Sequence, residues 1–155
     1  VAVLKATAHL KLRRFFWHKA RPTEDQALAL YAAIEAWKDL RELHLRSVEV
    51  TDASAKRILA GIARCKNLEV LRLFDMGITD AMLEDFCVVL PELSHLDEID
   101  LGWNGGLTGV GLRKLAECMT KANRKLEVLN VVKLSGYEDK VALEKLREVC
   151  FYLDA

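Results

Sequence analysis

Hydrophobic residues recur along this chain at two alternating periods. Leu40, Leu43 and Leu45 form an LxxLxL pattern, which returns at Leu68-Leu71-Leu73 and Leu96-Ile99-Leu101, 28 residues later each time. Apolar and polar positions alternate within each pattern, the mark of a short strand with one buried face. One interval earlier the same positions hold Leu12, Phe15 and Trp17; 30 residues after Leu96 they hold Leu126, Leu129 and Val131. Five strands are predicted, near 14–18, 42–46, 70–74, 98–102 and 128–132. A fixed interval of this size marks a stack of repeats, each burying its apolar face against the next.

Between the strands the period changes to that of a helix. Ala55, Ile58, Leu59 and Ile62 fall at i, i+3, i+4 and i+7 and so line one helical face. Equivalent positions hold Ala27, Leu30, Tyr31 and Ile34; Leu83, Phe86, Cys87 and Leu90; and Leu112, Leu115, Ala116 and Met119. In the fifth repeat they hold Leu143, Leu146, Arg147 and Cys150, where only Arg147 is out of character. Thr23, Thr51, Thr79 and Thr108 stand just before the first four runs, where a side-chain oxygen caps the free amides of a first turn. Thr23 with Gln26 has capping-box spacing. The loop Lys133 to Asp139 is the least regular part of the chain.

The ends keep the same register. Val1 to Lys11 reads as the tail of an earlier helix, and the next strand is due at position 156. The expectation is one repeat domain over 1–155, with repeats starting near 12, 40, 68, 96 and 126, cut from a longer protein.

Charge narrows the function classes. Lys+Arg and Asp+Glu both number 23, which argues against a general nucleic-acid surface. Apolar runs are short and broken by charges, so membrane insertion is not expected. Cys65, Cys87, Cys118 and Cys150 form no CxxC pair and read as free thiols in a reducing compartment. Gly105-Gly106 lacks phosphate-loop spacing and reads as the insertion that lengthens its repeat.

LRELHL…TDASAKRILAGIARCKN and LEVLRL…ITDAMLEDFCVVL resemble leucine-rich repeats of the ribonuclease-inhibitor type. The resemblance covers about Leu12 to Leu153. It implies an α/β leucine-rich-repeat solenoid (a horseshoe), with about five parallel strands on the concave face and helices on the convex face. The family's turn Asn or Cys is matched only by Asn104; Ala20, Val48, Met76 and Leu134 take the other places. Among such proteins the chain is similar to the sensor ends of NOD-like receptors. That similarity implies a cytoplasmic, non-catalytic protein-interaction module, with ligand-sensing or autoinhibitory repeats of an innate-immune receptor. IARCKNLEVLRL and ITD are also similar to the substrate-binding repeats of F-box ubiquitin ligase adaptors, and GTPase-activating regulators share the repeat.

The family binds partners on the inner strand face, which singles out Phe16, His18, His44, Arg46, Arg72, Phe74, Asp100 and Trp103. Aromatics and Arg are enriched at interface hot spots. The other reading is a solvated face of neutralised charges, such as Arg72 beside Glu98 and Asp100. His18 and His44 lack a third ligand for a metal site. Asn104, the one loop residue available to a nucleotide regulator, reads better as the repeat's structural Asn. No catalytic, cofactor-binding or metal-ligating set emerges, and the expected partners are proteins or neighbouring domains.

Overall fold

The computed structural model describes Leu4 and residues 9–20, 22–48, 51–135 and 138–155. Of the helix tail expected over Val1 to Lys11, only Leu4, which is helical, and His9 to Lys11, which are not, lie among these residues; Gly136 and Tyr137 of the irregular loop lie outside them. Strands and helices alternate: β1 (Arg14–Ala20), α1 (Glu24–Ala36), β2 (Glu42–Val48), α2 (Asp52–Ile62), β3 (Val70–Phe74) and α3 (Asp80–Val89). A 3-10 turn (Leu90–Glu92) leads to β4 (Glu98–Asp100), α4 (Gly109–Lys121), β5 (Leu126–Asn130), α5 (Lys140–Glu148) and β6 (Cys150–Asp154). The strands form one parallel sheet in sequence order. Register is that of the repeat: Leu43 pairs with Leu71, Leu71 with Ile99, and Ile99 with Leu129.

Parallel neighbours require a crossover, and each helix supplies one on the same side of the sheet. Leu43, Leu45, Leu71, Leu73, Ile99, Leu101, Leu129 and Val131 point into the layer between sheet and helices and are at most 4% exposed. From the other side come Leu30, Ile34, Ile58, Ile62, Leu83, Phe86, Leu112, Leu115 and Met119. Each fully buried side chain of this size stabilises the fold by roughly 1.5–3 kcal/mol. Strands sit about 4.8 Å apart and packed helices about 8–10 Å apart, so stacking bends the chain with the sheet on the inner side. This is a leucine-rich-repeat solenoid.

Local signals set the helix starts. Thr23 accepts from the Gln26 amide while Gln26 reaches back to Thr23, and Thr51 pairs with Ser54 likewise. Thr79 and Thr108 cap α3 and α4, and Asp139 caps α5. Asp80 also accepts from the Thr108 amide at 2.8 Å and its hydroxyl at 2.6 Å, tying one helix start to the next.

The five expected strands are all present, and among the described residues a further one follows them. β6 is a sixth, and it begins at Cys150, which the periodicity had placed on a helix face. Leu126 pairs with Cys150, an interval of 24 residues, because α5 has only 9 residues against 13 in α4. The strand therefore arrives before position 156.

Candidate functional site: the bare face of the sheet

Parallel sheets are normally covered on both faces. Here the inner strand positions meet the helices, while the alternate ones form a second face with no layer over it among the described residues. That face carries Glu42, His44 and Arg46 on β2, Val70, Arg72 and Phe74 on β3, and Glu98 and Asp100 on β4. Columns across the strands bring His18 beside Arg46 and Arg46 beside Phe74.

The sequence-selected residues fall into two groups. The first is a rim cluster where the strands end. The Arg46 guanidinium carbon lies 4.4 Å from the centroid of the Phe74 ring. The Phe74 and Trp103 rings are 6.1 Å apart. His18, Arg46, Ser47, Phe74, Asp75 and Trp103 line one open hollow. Gly102 helps make it: a Cβ there would meet the Phe74 ring at 3.2 Å and an Asp100 oxygen at 3.1 Å.

The second group lies further up the strands. Phe16, half exposed, leans over His44 at 4.2 Å between ring centroids with the planes tilted by 53°, and His18 approaches the same Phe16 ring at 6.5 Å. The two histidines thus meet through Phe16 rather than around a shared ligand position. His44 Nε2 is buried without a hydrogen-bond partner, and the Glu42 carboxylate lies 3.7 Å away. Burial, and next the Arg72 guanidinium, hold the His44 imidazole below its ordinary pKa. Arg72 Nε donates to Glu98 at 2.7 Å. Asp100 accepts from the Gly102 amide at 2.9 Å; burial raises its carboxyl above the usual range although that hydrogen bond pulls the other way. Arg72 and Asp100 are therefore committed to the sheet's own charge pattern, whereas Arg46, Phe74 and Trp103 present faces to solvent.

Backbone geometry adds something the periodicity did not show. Ser47, Asp75, Trp103 and Lys133 all have positive φ, from 51° to 62°, and occupy the same place after successive strands. Four successive repeats thus turn through a left-handed residue at the strand's end. Asp is tolerated there, but for a ring as large as Trp the conformation costs about 1 kcal/mol or more. Trp103 nevertheless remains 54% exposed. No Gly or Asn marks this column, so composition does not announce the turn; the signal was positional. The Ser47 hydroxyl donates to Asp75 at 2.7 Å along it.

Asn104 is structural. Fully buried, it accepts from the Met76 and Ile78 amides at 2.9 and 3.0 Å and donates to the Leu73 and Leu101 carbonyls at 2.8 and 2.7 Å. In the equivalent turns Val48, Met76 and Leu134 bury hydrocarbon instead. Among the described residues no group of three or more His, Cys, Asp or Glu is placed to hold a metal ion. No helix among them is long and apolar enough to cross a membrane.

The described residues thus form a one-sided parallel sheet with an aromatic-and-Arg rim, built from stacked repeats. Comparison with known proteins agrees at the level of the fold. The family described as Leucine Rich repeat matches residues 92–116. The tropomodulin C-terminal domain of Caenorhabditis elegans superposes with a TM-score of 0.72 over 96% of this chain and 89% of its own, at 12% identity. No curated protein sequence matches the chain.

Proposed function

We propose that this chain is a non-catalytic protein-interaction module that binds its partner at the rim formed by Arg46, Phe74 and Trp103. The observation that carries this reading is Trp103, an exposed indole held at φ 62° beside Phe74. The left-handed turn recurs at Ser47, Asp75 and Lys133; what sets Trp103 apart is a large apolar ring, 54% exposed, where those turns carry polar side chains. The neighbouring guanidinium suits a partner segment that pairs a carboxylate with an apolar or aromatic side chain.

The finer reading is the ligand-sensing or autoinhibitory part of a cytoplasmic receptor of the NOD-like kind, with repeats of the ribonuclease-inhibitor type. Its support is the 28-residue period with a helix in every repeat. Balanced charge supports a protein rather than a nucleic acid as partner.

The test is quantitative affinity capture with three baits: the native chain, a rim variant (Arg46→Ala with Phe74→Ser), and a helix-side variant (Lys56→Glu). A partner lost from the rim variant and kept by the helix-side variant is the expected result. Partners common to all three would remove the rim as the binding site.

A further inference from the structure

Two thiols lie together on the helical side of the solenoid, away from the rim. Cys87 is on α3 and Cys118 on α4. The Cys118 thiol donates to the Cys87 carbonyl at 3.1 Å, and the Cys87 thiol points at the Lys114 carbonyl of α4 at 3.9 Å. Each sulfur thus reaches across to the other's helix. Both are only partly buried, at the floor of an open groove with Val88, Pro91 and Lys121 on its walls. The other two cysteines differ. Cys65 and Cys150 are buried and donate to backbone carbonyls, Ile34 for the first and Leu146 for the second.

From this geometry we infer that Cys87 and Cys118 form a dithiol modification site that takes low-molecular-weight disulfides and closes to a bridge between adjacent repeats. Burial and the neighbouring Cys118 push the Cys87 thiol well above its ordinary pKa. Cys87 is therefore protonated at neutral pH, and the first attack falls to Cys118. The Cys118 thiolate attacks one sulfur of the disulfide, forming a mixed disulfide and expelling one thiolate. That thiolate takes the Cys87 proton. The Cys87 sulfur then attacks the Cys118 sulfur and expels the second thiol. The protein loses two electrons and two protons; the small disulfide gains both and leaves as two thiols. The bridge ties α3 to α4, the helices that follow the strands carrying Phe74 and, just beyond β4, Trp103.

The test incubates the folded chain with oxidised glutathione, quenches with an alkylating agent, and reads intact mass and linked peptides. The expected product is lighter by two hydrogens, joins Cys87 to Cys118, carries no glutathione, and reverts with a reducing dithiol. Cys87→Ser is expected to retain one glutathione on Cys118. Three results on the native chain overturn the inference, whether or not the variant folds: thiols that stay unreacted, glutathione retained on Cys118, or a link to Cys65 or Cys150.

Discussion

The Arg46 guanidinium rests 4.4 Å above the Phe74 ring, across the ladder that joins β2 to β3. At an exposed site such a contact contributes about 0.5–1 kcal/mol, too little to explain an Arg held over a half-covered ring for stability alone. Arg46→Ala is therefore expected to lower stability by less than about 1 kcal/mol. The same change is expected to weaken partner binding by about 2 kcal/mol, roughly thirtyfold in Kd. Denaturant unfolding and titration calorimetry on one preparation measure both.

Asn104 should behave in the opposite way. Its amide serves the Met76 and Ile78 amides and the Leu73 and Leu101 carbonyls from a fully buried position. Asn104→Ala leaves these groups without partners, each at about 1–3 kcal/mol. A loss of at least about 3 kcal/mol in urea unfolding is expected. A loss below about 1 kcal/mol would mean that the turn is held by something else.

Arg124 closes the end of the third repeat. Its guanidinium donates to the carbonyls of Leu90, Leu93 and Leu96, the first two of which also accept from the Leu93 and Leu96 amides. Arg124→Ala is expected to cost about 2–3 kcal/mol, since these are hydrogen bonds from a charged donor. Arg124→Lys should recover only part, because an ammonium lacks the planar fork. Thermal melts of the two variants give the order.

His44 makes stability depend on pH. Its folded pKa is lowered from 6.5, first by burial and then by Arg72, with His18 adding to the effect and Glu42 and Glu98 opposing it. The unfolded chain therefore binds the proton more readily. Stability is full above the unfolded value and falls as pH drops below about 6.5, levelling off below the folded pKa. Replacing His44 with Gln should flatten this part of a urea-midpoint profile between about pH 7 and pH 5. Parallel profiles for the two proteins would contradict it.

Much of the architecture was readable from spacing because a repeat shows each structural position several times. Leu43, Leu71, Ile99 and Leu129 stand at one place in four strands, and the structure pairs them side by side. The four Thr caps were legible for the same reason. β6 was not, since α5 is short and Cys150 stands where the pattern expects Leu. The columns of the bare face follow from the same 28-residue interval, which sets Phe74 beside Arg46. What separates Arg46 from Arg72 was not readable: Arg72 swings diagonally to Glu98, a choice made by side-chain geometry. The left-handed turn at Trp103 was invisible because Ser47, Asp75, Trp103 and Lys133 share no chemistry that announces positive φ. The meeting of Cys87 and Cys118 depends on how α3 and α4 stagger, and periodicity says little about that.

The most direct test of a binding rim is Trp103→Gly, read for stability and for affinity in the same sample. Glycine relieves the positive φ, and its gain of about 1 kcal/mol offsets the lost contact with Phe74. The melting midpoint should stay level or rise, while the Kd for the captured partner weakens at least about tenfold. Unchanged affinity, or affinity lost only in step with a falling midpoint, would contradict a rim built for binding.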